Sequence, residues 1–161
     1  RRLAVTDHVT LLFENVQTVW YQVEEMLRTE RIDEEAAIRH EIDTYNELLP
    51  RPGELSATML IEYSDAAQRD TALPELVGLE RHLWICLDQR RESVRFDERQ
   101  MAPDRISAVQ FVRFPLGGLD SAEFLSIAKA EKLAIEVDHP RMQGRALVTG
   151  ALARALAQDL A

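Results

Sequence analysis

The side chains best suited to chemistry in this 161-residue chain are carboxylates and a few imidazoles. Residues 14–48 hold ten acidic side chains against Arg28, Arg31 and Arg39, a local charge of −7 in a chain whose total is −9. Iron and manganese favour hard carboxylate oxygens and imidazole nitrogens. Glu25, Glu30, Glu41 and His40 could therefore ligate such a divalent ion if two helices brought them face to face. The Glu-x-x-His pair of four-helix di-iron sites is absent, because Ala37 stands three residues before His40. Glu24 with Arg28, and Glu35 with Arg39, have the i, i+4 spacing of solvated surface pairs. The stretch reads either as a solvated face or as a metal or partner site.

A second group consists of polar residues inside apolar runs: Glu62, Gln110 and Arg113. A carboxylate drawn out of water must find a cation, donors or a metal, or take up a proton. An ion pair of Glu62 with Arg113 across a sheet is the structural expectation, and a general base or metal ligand the functional one. His139 follows Asp138 and precedes Pro140 where a strand should end, a position that suits either a ligand or a capping group. Cys86 lies in Leu83-Trp84-Ile85-Cys86-Leu87 and reads as a buried, inert thiol, with Trp20 and Trp84 as core residues.

The negative balance argues against nucleic acid or an anionic membrane as the main partner, since phosphate contacts draw on Lys and Arg. One cysteine makes neither an internal disulfide nor a self-supplied iron–sulfur cluster. No apolar run approaches the ~20 residues of a membrane span, and a cytoplasmic location is expected. Glycine-rich phosphate loops, Gly-x-Ser-x-Gly, His-Glu-x-x-His and Cys-x-x-Cys are all missing.

The elements that would position these residues follow from periodicity. Residues 9–13 (VTLLF) predict a buried strand, and Val16, Val19, Trp20, Val23, Met26 and Leu27 form one helical stripe. A second helix, capped by Asp33, is predicted through Ile38, Ile42, Tyr45 and Leu49 up to Pro50, with one bent helix as the alternative. Strands are predicted over 56–63, 82–88, 93–97, 108–116 and 133–138, the second and third joined by a turn at 89–91. Capping boxes at Asp65–Gln68 and Asp120–Glu123 open two further helices, and a short helix closes the chain from Thr149. This pattern predicts a single α+β domain: a mainly antiparallel sheet of about five or six strands with helices packed on one face or end. The chain opens Arg1-Arg2-Leu3 without a methionine, so a native N-terminal segment before it is expected.

The runs TLLFEN (10–15), YQVEEMLRTERI (21–32), EIDTYNELLP (41–50), ATMLIEY (57–63) and VDHP (137–140) together resemble the uncharacterised bacterial domain-of-unknown-function family 3501. The resemblance extends over nearly the whole chain. It implies a role beside rubrerythrin-like di-iron proteins and iron–sulfur oxidoreductases, whose genes neighbour those of the family, in peroxide defence or iron-linked redox metabolism. It also marks Gln22, Glu25, Arg28, Glu30, Arg31, Glu41, Asn46, Glu62 and His139 as the polar positions of interest. Three functional expectations result. The first is a non-catalytic accessory protein that binds a partner, or divalent iron or manganese, through Glu25, Glu30 and Glu41, with His139 as a further metal ligand. The second is an enzyme gathering Glu62, Glu25 and His139 between sheet and helices. The third is a homodimeric scaffold, which exposure of the Val16–Leu27 stripe would favour.

Overall fold

The computed structural model describes residues 1–160. The strands β1 (Arg2–Ala4), β2 (Val9–Phe13), β3 (Glu54–Ile61), β4 (Leu83–Leu87), β5 (Arg90–Ser93), β6 (Arg95–Phe96), β7 (Val109–Pro115), β8 (Leu133–His139) and β9 (Met142–Leu147) alternate with five helices. The helices are α1 (Val16–Glu30), α2 (Glu35–Asn46), α3 (Ala66–Glu75), α4 (Ser121–Lys129) and α5 (Gly150–Gln158). The predicted α+β class and antiparallel pairing hold. Instead of one sheet, however, the strands form two, in the orders β1-β2-β3-β7-β6 and β5-β4-β8-β9.

The division into two sheets happens at Val94. The expected strand over 93–97 is split there: β5 pairs with β4, whereas β6 pairs with β7 of the other sheet. The expected turn at 89–91 also shifts, because Leu87 pairs with Arg90 and leaves Asp88-Gln89 as the two-residue turn. Asp88 accepts a positive φ of 58° there, a conformation that Asp tolerates better than most residues. Val94 is buried at the crossover. At the far edge Gly144 of β9 lies so close to the β1–β2 turn that a Cβ would stand 2.5 Å from the Val5 carbonyl oxygen. Only a residue without a side chain permits that approach.

Alternation along the strands sends Leu11, Phe13, Met59 and Phe114 from one sheet, and Ile85 and Ile135 from the other, into one hydrophobic cluster. Phe124 of α4 and Leu156 of α5 pack into the same cluster. No residue of α1 or α2 belongs to it. The two predicted helices are separate, not one bent helix: Arg31 takes φ 53° and ends α1, and α2 begins after Glu34, not after the expected cap Asp33. Asp120 and Glu123 complete their capping box, whereas Asp65 caps Ala67 without the return bond from Gln68. The sequence pattern predicts neither β1 nor β9. Neither carries an apolar alternation with β-branched residues, and each forms by pairing with a neighbour.

Candidate functional site

The α1–α2 hairpin carries most of the net charge, and two junctions hold it to the five-stranded sheet. At its start Asn15 caps α1 through the Thr18 amide, and Thr18 Oγ1 accepts from the Asn15 amide in return. Beneath this cap Glu14 is buried, with 4% exposure and no ion pair among the described residues. Thr18 Oγ1, Gln22 Nε2 and Thr58 Oγ1 donate to its carboxylate at 2.5, 2.9 and 2.6 Å. Three neutral donors thus replace the water lost on burial. At the hairpin's end Arg113 of β7 donates to the Glu47 and Leu49 carbonyls and pairs with Glu54, while Ser56 Oγ donates to the Leu48 carbonyl.

Between these junctions α1 buries Val19 and Val23 and leaves Val16, Trp20 and Tyr21 at 70, 57 and 63% exposure. The apolar stripe therefore does not face inward as a whole. Val16 and Trp20 lie one turn apart on the outer side, followed by exposed Glu24. Trp20 is not the core residue its position in the stripe suggested. Glu24, Glu30, Asp33, Glu34, Glu41 and Asp43 form no ion pair among the described residues, so the hairpin that carries the exposed indole keeps an uncompensated acidic surface.

A second polar assembly lies on the four-stranded sheet. Asp138 Oδ1 accepts from His82 Nδ1 at 2.9 Å and Trp84 Nε1 at 3.0 Å, and Oδ2 accepts from Arg91 at 2.6 Å. Arg91 stacks 4.2 Å from the Trp84 ring centre and also donates to Glu136 at 2.8 Å. Loss of hydration alone would raise the Asp138 pKa. The hydrogen bonds from Trp84, Arg91 and His82, together with the Arg91 charge, outweigh it and hold the pKa at about 2. Burial and the Glu136 charge push the Cys86 thiol up, in line with an inert cysteine. His139 is buried behind this assembly. Its Nδ1 accepts from the Arg141 amide at 3.2 Å, its Nε2 faces the Val77 carbonyl at 3.4 Å, and its ring meets that of His82 edge-on.

The sequence-selected residues are dispersed over these features. Glu25 is tied to Arg28 at 2.8 Å, replacing the expected Glu24–Arg28 pair, and Glu35–Arg39 forms as expected. Glu30 is exposed in the last turn of α1, Glu41 is half-buried on α2 and His40 is exposed. Glu62 lies just beyond β3, is exposed, and pairs with Arg2 at 3.1 Å, while Arg113 pairs with Glu54. It is therefore not a carboxylate withdrawn from water, which the enzyme expectation required. The buried carboxylates among the described residues are Glu14 and Glu54, and of these Glu54 is paired with Arg113. Among the described residues no group of three or more His, Cys, Asp or Glu side chains is placed to hold a metal ion, so Glu25, Glu30, Glu41 and His139 do not converge. Sequence reasoning placed Glu14 in the acidic surface. The available signal was Thr58 inside an apolar strand and Gln22 two turns along α1, but only tertiary pairing joins them.

The fold and these two polar assemblies define an α+β protein of two antiparallel sheets with a projecting acidic hairpin. The chain belongs to the family described as "Protein of unknown function (DUF3501)", which matches residues 1–160. It is similar to a crystallised novel protein of unknown function from Burkholderia pseudomallei K96243, with 36% sequence identity and a TM-score of 0.86 over 100% of this chain and 84% of that chain. No curated protein matches this chain.

Thr58→Val removes one donor from the buried Glu14 carboxylate at nearly constant volume. The expected loss is about 1–3 kcal/mol in urea unfolding. The Asp138 assembly predicts a pH dependence. A carboxyl held below its ordinary 3.8 contributes stability that is full well above that value and is lost as pH falls through about 2. The difference in unfolding free energy between wild type and Asp138→Asn is expected to be flat at neutral and mildly acidic pH, then to shrink between pH 4 and 2.

Proposed function

We propose that this protein is a non-catalytic accessory protein that docks onto another protein through the outer face of α1. The observation that carries the reading is Trp20, more than half exposed beside Val16 on the most acidic part of the chain. Tryptophan is the side chain most enriched among residues that dominate binding energy, since its large ring gains most from a desolvated pocket. The unpaired carboxylates of the hairpin add a long-range field that favours a partner with an apolar pocket rimmed by Lys or Arg. Absence of the hairpin from the main hydrophobic cluster supports the same reading, because α1 is free of the packing that would otherwise cover this face.

The family's gene neighbourhood makes rubrerythrin-like and iron–sulfur oxidoreductase proteins the first partners to test, with the accessory role lying in iron-linked redox metabolism or peroxide defence. Among the described residues no helix is long and apolar enough to cross a membrane, so the hairpin face is not part of a spanning helix. A homodimer through Val16 and Trp20 is the second reading, favoured by the same exposure. It would bring two like-charged hairpins together, a repulsion that a basic partner avoids.

Calorimetric titration of the purified neighbouring gene products tests the proposal. Wild type is expected to bind one of them with an affinity that weakens as salt is added. Trp20→Ala is expected to bind at least tenfold more weakly while its unfolding free energy stays within about 0.5 kcal/mol of wild type. Unchanged binding by Trp20→Ala would remove α1 as the docking face. Concentration-dependent dimerisation abolished by the same substitution would establish the homodimer instead.

A further inference from the structure

The strand β9 closes one side of the four-stranded sheet, and among the described residues its free edge has no backbone partner. Two hydrogen bonds beside the ladder fix which way each peptide group points. The Val148 amide donates to the Leu133 carbonyl at 2.9 Å, and the Asp138 amide donates to the His82 carbonyl at 3.0 Å. Peptide groups alternate in direction along an antiparallel ladder. Met142, Gly144 and Ala146 therefore turn theirs toward β8, whereas Gln143, Arg145 and Leu147 turn theirs outward. All three outward residues are exposed. The β1–β2 turn lies against the core face of Gly144, and among the described residues it makes no hydrogen bond to this edge.

A row of unpaired N–H and C=O groups is a template for another strand. The other sheet edges are shorter: β1 has three residues, β6 two and β5 four, against six in β9, which contains no proline. The side chains of Gln143, Arg145 and Leu147 share the outer face of the sheet with Asp138, Glu136 and Ala134. Arg145 Nε stands 3.7 Å from Glu136, a carboxylate that Arg91 already engages, and no hydrogen bond occupies the Arg145 guanidinium among the described residues. A second copy of the chain fits this edge poorly. The antiparallel register that uses all three outward residues of both copies sets Arg145 against Arg145, and like charges directly opposite are destabilising. A strand that brings a carboxylate to this position gains an opposite-charge pair instead.

We propose that β9 is a docking edge for an extended segment of another protein. The segment adds as an antiparallel strand, with an acidic residue opposite Arg145 and an apolar residue opposite Leu147. Main-chain hydrogen bonds supply the attachment, and these two side-chain positions supply the selectivity. The edge shares no residue with the outer face of α1, so the proposal stands independently of the docking role of Trp20.

Amide chemical-shift titration of the whole chain with the peptide acetyl-Ser-Val-Thr-Glu-Thr-Thr-Ser-amide tests it. Its Val, Glu and last Thr would lie opposite Leu147, Arg145 and Gln143. Saturable shifts are expected at these three amides of the protein, together with slower hydrogen exchange there. N-methylation of the peptide's Glu removes the donor aimed at the Arg145 carbonyl and is expected to weaken binding at least tenfold. N-methylation of the Thr that follows, whose N–H points away from β9, is expected to weaken it less than threefold. Replacing the Glu by Lys is expected to weaken it at least fivefold. No saturable shift, equal weakening by the two N-methylated peptides, or binding unchanged by Lys would overturn the proposal. Concentration-dependent shifts of the same three amides without peptide would overturn it too, making the edge a contact between copies of this chain.

Discussion

The direction in which α1 leaves the five-stranded sheet is set by a carboxylate that has no cation. Glu14 lies at the end of β2, sealed from water, with donors from α1 (Thr18 and Gln22) and from β3 (Thr58) converging on it. An ion pair would satisfy the charge but leave much of the geometry free. Three short-range donors from two elements fix the helix axis relative to the strand instead. Arg1 reinforces the junction by donating to the Phe13, Glu14 and Ala155 carbonyls and pairing with Asp159, so α5 is locked to the same corner. With that axis fixed, Val19 and Val23 turn inward and Val16 and Trp20 have no choice but to face water.

Guanidinium groups perform similar joining work elsewhere in the molecule. Arg113 gathers the carbonyls at the end of α2 onto β3 and β7, and Arg91 couples β5 to two carboxylates of β8 while stacking on Trp84 of β4. These planar donors can satisfy several acceptors at once. The chain therefore spends much of its arginine on structure, and the acidic residues of α1 and α2 are left with few partners of their own. The surplus of negative charge on the hairpin is a consequence of where the arginines are engaged as much as of how many carboxylates it contains.

Local periodicity made much of this legible. The apolar strand 9–13, the helical period of α1, the Asp120 capping box and the alternation of 133–138 each express a pattern written within a few residues, and each gives the element it predicts. What the pattern lacked was any statement of which strand pairs with which. Val94 looks like an ordinary strand residue, yet it is the crossover between sheets, and β9 has too little β-branched character to stand out before β8 is in place beside it. The polar sites failed for the same reason. Glu62 seemed interior because its neighbours are apolar, but β3 ends at Ile61 and Glu62 turns to Arg2. Glu14 seemed superficial because acidic residues follow it, but Thr58, forty-four positions away, closes over it. Conversely, the amphipathic stripe of α1 promised a buried Trp20, and only the docking angle of the helix shows that the hairpin lacks a layer to cover it.

An exposed indole on an acidic hairpin is read directly by fluorescence quenching. In a Trp84→Phe variant Trp20 is the sole tryptophan. Its emission in the isolated chain is predicted to be water-like and readily quenched by acrylamide, with caesium ions quenching it more effectively than iodide because the surrounding carboxylates concentrate cations. Emission shielded from acrylamide, or iodide quenching at least as strong as caesium, would show that Trp20 is not a solvent-facing indole in a negative field.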